Sequence, residues 1–327
     1  MRYLIITINH SHAGLFAYVN FAMNQIIYAE THHLIPVVYF GPKSGTGDNA
    51  YYHAQRGDNM WEYYFTPVAG LAYEELQNYI NDDSCDITEK DCMTLTTGQL
   101  WQLHCNDPKS IYPYPHGMHE HAPIDECWYQ QQRAKAYRIM QEYIHVKPAI
   151  GDKVDAFHDA HFKNHKVLGI HMRGTDKGTA HARPALMRVV QPEEYFQHID
   201  RYMLASGSGK IFVATDQIQF LQKMIDRYGE QVIAYECIRS NSYRSVFEKK
   251  DGQGYLKGEQ VLIDALLLSR CDFLIKCTSA VGEFALYFNP ELKCIDLNHI
   301  NYDERFFTQF MVNCKRWCYL KFLKYFS

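Results

Sequence analysis

Short apolar runs that end in polar turns recur along this chain, and most are followed by a stretch whose apolar residues repeat at helical spacing. Tyr3 to Ile8 opens the series. Leu15 to Glu30 follows with Phe16, Val19, Met23, Ile26 and Ile27 on one helical face, and His32 to Phe40 reads as a second strand, which completes a β-α-β unit. The same alternation returns in the second half. Val167–Met172, Lys210–Asp216, Gln231–Glu236, Asp272–Lys276 and Lys293–Asn298 are predicted strands, separated by predicted helices from Gln191 through Met203, over Gln217–Tyr228 and over Glu259–Leu268. Apolar runs this continuous are what parallel strands covered on both faces by helices require. Between the halves, Asp125–His145 reads as a long polar helix and Val154–Asn164 as a short one. Lys147-Pro148 and Gly151-Asp152 mark the boundary. The pattern predicts an α/β protein with an N-terminal domain over 1–150, a second domain over 151–302, and a terminal helical segment over 303–327.

Polar residues gather where the predicted strands end. VLGIHMRGTDK, Val167 to Lys177, brings His171, Arg173, Thr175, Asp176 and Lys177 into one turn; KIFVATD ends in Thr215 and Asp216; and DFLIK is followed by Cys277-Thr278-Ser279 at the start of a helix. In open α/β sheets the carboxyl ends of the strands face the ligand crevice. An arginine there presents a planar fork of donors suited to the oxygens of a diphosphate. The first turn by itself also fits a surface turn with a structural Arg–Asp pair. Asp264 stands in the middle of an apolar helix and requires a partner or a purpose, either a link to a ligand or to Arg173, or a cap on a neighbouring loop. Gly14 precedes a helix whose N-terminus offers amides to an anion, or it simply lets the turn close. Trp61, Tyr63, Tyr64 and Phe65 form an aromatic cluster that fits either a core or a sugar-stacking surface, beside a polar loop with Arg56 and Asp58.

Composition narrows the class. The chain has 327 residues, 47% hydrophobic and 21% charged, with a formal net charge of −4, which argues against a protein that works by neutralising nucleic-acid phosphate. Its ten cysteines include no CxxC pair and several lie inside apolar patterns, as expected of reduced thiols. The spacing of His116, His119 and His121 lacks the carboxylate or cysteine partners of a zinc signature, so no metal site is expected. No apolar run reaches the roughly eighteen residues of a membrane span, and no signal peptide is recognisable. In 303–327, Lys315, Arg316, Lys321 and Lys324 alternate with aromatic residues, which suits packing on the first domain and also suits peripheral contact with a membrane.

The three strand-end motifs, in this order, resemble those of the α1,6-fucosyltransferases and rhizobial nodulation fucosyltransferases, and more distantly the protein O-fucosyltransferases. Those families read HxRRTDK, ATDD and a DFLVCTFSS-type turn preceded by an ILD-type helix. Here the places are filled by His171–Lys177, Ala214–Gln217 and Asp272–Ala280, with Asp264 in the helix. The resemblance is good over about Val167 to Tyr287 and loose before it. It implies a GT-B architecture, two Rossmann-like domains facing each other across a cleft, with the acceptor side first and the donor side second. The implied reaction is an inverting, metal-independent transfer of L-fucose from GDP-fucose to a glycan hydroxyl, with no cofactor beyond that donor substrate. Arg173 is assigned to the β-phosphate; Thr278, Ser279, Ala280 and Val281 to amides and hydroxyls at a helix start; and Gly14 with Leu15 to the phosphates. His171, Asp176, Lys177, Thr215, Asp216 and Asp264 are the other expected donor contacts, and Arg56, Asp58 and Trp61 the expected acceptor contacts. Two departures stand out. The second family arginine is Gly174 here, and where the family carries a glutamate after the motif this chain has Ala180 and His181, which makes His181 the candidate base. Animal relatives are anchored Golgi proteins, and the missing anchor implies a cytoplasmic enzyme. The alternatives are the same scaffold with another GDP- or UDP-sugar and a non-catalytic sugar-nucleotide binder.

Overall fold

The structure, a computed structural model, describes residues 2–8, 13–42, 50–96, 109–111, 126–175, 189–207, 209–242, 244–246 and 251–298. The chain divides into two compact units. One holds the described parts of Met1–Ile111 with Gln132–Ala156 and Phe247–Ile263; the other holds those of Tyr112–Gln131, Phe157–Val246 and Asp264–Ser327.

In the first unit β1 (Tyr3–Ile6) lies between β2 (Ile35–Val38) and β3 (Cys92–Leu95), parallel to both. Helix α1 (Leu15–Thr31) makes the crossover from β1 to β2. Tyr3, Ile5, Val37, Tyr39 and Leu76 share one apolar cluster, and the Tyr39 and Tyr73 rings stack with centroids 4.0 Å apart. Strand β3, the short helix α2 (Trp61–Tyr64) and helix α3 (Tyr73–Asn81) have no counterpart in the predicted elements. Strand β3 sits at a sheet edge with both central residues exposed, and its four residues, CMTL, are too short an apolar run to stand out among the polar residues around them. Helices α4 (Glu126–Tyr143) and α5 (Pro148–His161) follow. The latter starts six residues earlier than Val154, with proline at its first turn, where the missing N–H costs nothing. The division expected after residue 150 therefore falls inside this helix.

The second unit is a parallel five-stranded sheet of order β6-β5-β4-β7-β8. Its strands are β4 (Val167–Met172), β5 (Lys210–Thr215), β6 (Val232–Ile233), β7 (Phe273–Lys276) and β8 (Cys294–Asp296). Helix α6 (Pro192–Ser206) follows β4 and α7 (Ile218–Tyr228) follows β5; α8 (Gly254–Leu268) precedes β7 and α9 (Ala280–Phe288) follows it. Leu168, Ile170, Met172, Ile211, Val213 and Ile275 from the strands pack with Tyr195, Ile199, Phe220 and Met224 from the helices. Only two residues of the predicted Gln231–Glu236 strand pair with β5, because β6 is the outermost strand and its chain leaves the ladder after Ile233. Among the described residues no helix is long and apolar enough to cross a membrane, and no disulfide joins the seven described cysteines.

Helix α8 begins at Gly254, five residues before the predicted start. Two glycines in this added stretch are places of close approach within the first unit. A Cβ on Gly254 would lie 2.6 Å from the Ala50 carbonyl oxygen, and one on Gly258 would lie 2.1 Å from the Tyr64 hydroxyl. Tyr64 is fully buried, stacks on Tyr255 at 5.7 Å and donates to its carbonyl at 3.1 Å, so it has no room to yield. Gly258→Ala is expected to lower stability by about 1–3 kcal/mol despite alanine's better helix propensity, as measured by denaturant unfolding.

Candidate functional site

In the second unit the chain runs from β4 outward through β5 to β6, then recrosses to β7 on the other side of β4. The connections therefore part between β4 and β7, and the carboxyl ends of these two strands form the switch point at which open α/β sheets leave a crevice. The register sets His171 beside Lys276 and Met172 beside Thr215. The residues that follow, Arg173 to Thr175, Asp216, and Cys277 to Ser279, thus leave the sheet on one edge.

Asp216 organises that edge. Its Oδ1 accepts the Gly174 N–H at 2.9 Å and the Thr175 N–H at 3.5 Å, and its Oδ2 accepts the Thr175 hydroxyl. The same Oδ2 lies 3.1 Å from Arg173 Nε, with the arginine side chain 16% exposed. Asp216 therefore braces the arginine and its turn through the Nε edge of the guanidinium; it is a holder of the site more than a donor contact. A Cβ on Gly174 would stand 2.0 Å from Gln217 Oε1 and 3.0 Å from the Phe220 ring, so the space of a second arginine is filled by Gln217. That Oε1 is buried and has no hydrogen-bond partner among the described residues. Thr215 uses its hydroxyl to accept the Gln217 N–H at 3.3 Å.

Ser279 is the N-cap residue of α9, yet its hydroxyl makes no cap hydrogen bond. Among the described contacts the amides of Ala280 and Val281 have no acceptor either, as expected for the first turn of a helix whose cap is left open. A helix start with unspent donors is an anion cradle. Thr278 does not share in it. Its N–H goes to Asn298 Oδ1 at 2.7 Å and its hydroxyl to Asp296 at 3.1 Å, which overturns its assignment as a ligand-facing donor.

His171 is enclosed. Its carbonyl accepts the Tyr195 hydroxyl at 3.0 Å and the Cys277 N–H at 3.3 Å, its Nδ1 is 3.9 Å from Cys277 Sγ, and a Cβ on Gly282 would lie 3.0 Å from the same nitrogen. Burial pushes the Tyr195 hydroxyl well above its ordinary range. Asp264, on α8, is buried with Oδ1 unpartnered among the described residues. Burial pushes its carboxyl up to about 7, against the pull of Arg239 and the Cys237 thiol. Arg239 donates to the carbonyls of Cys237 at 3.3 Å and Tyr235 at 2.8 Å, and its Nε has no partner among the described residues.

The first unit accounts for the remaining expected residues. The space beside Gly14 is open, but the Leu15 N–H is donated to the Tyr51 hydroxyl at 3.1 Å, so Leu15 offers no amide to a phosphate. Trp61 is 2% exposed, donates to the Thr66 carbonyl at 3.2 Å and packs edge-on to Phe40. It belongs to the core and presents no face to a sugar. Arg56 lies on the surface with its guanidinium 3.8 Å over the Tyr255 ring, and Asp58, also exposed, accepts the Tyr52 hydroxyl at 3.3 Å. Asp176, Lys177, His181, the histidines at 116, 119 and 121, and the 303–327 segment lie outside the described residues. Lys276, Glu283 and Asp296, none of them among the residues expected at the site, are joined by ion pairs beneath the start of α9. The available signal was a lysine closing an apolar strand run and a glutamate inside the apolar helix AVGEFALYF.

A switch point, an arginine braced at the central strand end and an open helix cap thus share the carboxyl edge of one parallel sheet. The chain belongs to the family described as alpha-(1,6)-fucosyltransferase N- and catalytic domains, whose model matches residues 103–284, more than half of the chain. It is a glycosyltransferase. Among solved structures it is similar to fucosyltransferase NodZ from Bradyrhizobium, at 18% identity over 91% of this chain and 96% of that one, with a TM-score of 0.54. It is also similar to NodZ alpha-1,6-fucosyltransferase co-crystallized with GDP, at 16% identity over 90% and 95% with a TM-score of 0.53. NodZ soaked with GDP-fucose matches at 17% identity over 91% and 96%, with a TM-score of 0.53. At these identities the likeness is one of fold.

Asp264 yields a pH prediction. Between the carboxyl's ordinary value of 3.8 and its folded value of about 7, the folded protein keeps a proton that the unfolded chain has released. Stability therefore falls as pH rises through that window and is level above it. Asp264→Asn should remove this fall. In urea unfolding at a series of pH values the variant gains on the wild type by on the order of 1.4 kcal/mol per pH unit across the window and no further above it.

Proposed function

We propose that this chain transfers L-fucose from GDP-fucose to a hydroxyl of a glycan, with inversion at the anomeric carbon and without a metal ion. The observation that carries this reading is the pairing, on one sheet edge, of the braced Arg173 with the open cap formed by Ser279, Ala280 and Val281. The acceptor oxygen attacks the anomeric carbon while the bond from that carbon to the β-phosphate oxygen breaks, and GDP leaves with the bonding electrons. Negative charge grows on the diphosphate, so donors fixed in advance at that place lower the barrier. Arg173 and the helix-start amides supply them. The guanine edge carries adjacent N–H donors, which suit the unpartnered oxygen of Asp264. NodZ was co-crystallized with GDP and soaked with GDP-fucose, which supports the choice of donor. His181 is the proposed base for the acceptor proton, and Arg56 and Asp58 on the first unit are the proposed acceptor contacts.

Thermal shifts with GDP, UDP and their sugars test the donor. GDP is expected to stabilise the protein and GDP-fucose to be hydrolysed slowly; preference for UDP, or binding without turnover over an array of labelled acceptors, overturns the reading. Arg173→Ala is expected to reduce turnover by roughly 100-fold to 1,000-fold. Wild-type turnover should be unchanged by a chelator.

A further inference from the structure

Lys276 closes β7 with its side chain 2% exposed, an unusual place for a lysine. Its Nζ lies 2.7 Å from Asp296 Oδ2 and 3.1 Å from Glu283 Oε2, with the Glu283 side chain 1% exposed and that of Asp296 8% exposed. Asp296 in turn accepts the Thr278 hydroxyl at 3.1 Å through Oδ2 and the Asn298 N–H at 3.0 Å through Oδ1, and Asn298 Oδ1 accepts the Thr278 N–H at 2.7 Å. One set of contacts therefore joins the ends of β7 and β8 to the first turn of α9. The start of α9 rests directly on it, since a Cβ on Gly282 would lie 3.1 Å from Lys276 Cδ.

Stability is a poor reason for such a set. Three buried charges are costly to desolvate, and well-packed apolar residues commonly serve as well. What the set does is geometrical. It turns both donors of Thr278 toward the end of β8, so the next residue, Ser279, reaches the N-cap with its hydroxyl and the following amides unspent. We propose that Lys276 is a positioning residue for the donor's diphosphate, acting through Asp296 and Thr278 to hold the Ser279 turn open. This rests on the reading of that turn as the diphosphate site.

The test compares GDP with GMP, which lacks the β-phosphate, by titration calorimetry on the full chain. Thr278→Val keeps the shape and all three charges but removes the hydroxyl link; Thr278→Ser restores it; Lys276→Met removes the cation. The Val and Met variants are expected to lose roughly tenfold in GDP affinity, the worth of one charge-assisted hydrogen bond, with GMP affinity unchanged and the Ser variant equal to wild type. If Lys276→Met fails to fold, Thr278→Val decides. Unchanged GDP affinity in Thr278→Val, an equal loss for GMP, or no recovery in Thr278→Ser overturns the inference. A wild type that binds GDP no better than GMP sinks the diphosphate reading itself instead.

Discussion

Four donors converge on the carboxylate of Asp216, and the shape of the site follows from that convergence. The Gly174 and Thr175 amides, the Thr175 hydroxyl and Arg173 Nε all end on its two oxygens. Two neighbouring strands, β4 and β5, are thereby tied to each other just beyond the point where their ladder stops. A guanidinium held by its Nε edge at 16% exposure has its direction set by the protein before any ligand arrives. Such preorganisation is what makes a fixed charge useful, because nothing has to reorient when charge develops on a leaving group.

The other side of the switch point is built on the opposite principle. There a charged residue is withdrawn to 2% exposure, and Asp296 and Asn298 take the hydroxyl and the N–H of Thr278. Lys276, Glu283 and Asp296 share the interior beneath α9, while Ser279 above them keeps its hydroxyl out of the cap. The contrast between a partly exposed arginine and a buried lysine fits their chemistry. The planar guanidinium suits a ligand's oxygens, and the compact ammonium suits a closed set of carboxylates.

Gly174 shows how a departure from a family pattern becomes intelligible in three dimensions. In the sequence it stands where a second arginine is expected, and Gln217 stands where a second aspartate is expected, forty-three positions away. In the fold the two face each other, with Gln217 Oε1 in the volume that a side chain at 174 needs. Two apparent losses of charge are one exchange of volume.

The repeating apolar runs were enough to determine a parallel α/β architecture, the strands β1, β4, β5 and β7, and the polar edge that carries Arg173, Asp216 and Ser279, because buried strands and helical faces leave a period that survives in one dimension. They could not reveal β3 or the true start of α8, where an exposed edge strand carries only a four-residue run and two glycines serve close packing by Tyr64 and Ala50. Nor could they tell a spent donor from an open one. Whether Thr278, Leu15 or Trp61 faces a ligand depends on Asn298, Tyr51 and Thr66, residues brought near by the fold. A residue's type fixes which hydrogen bonds it can make, and only tertiary contact decides which of them are already made.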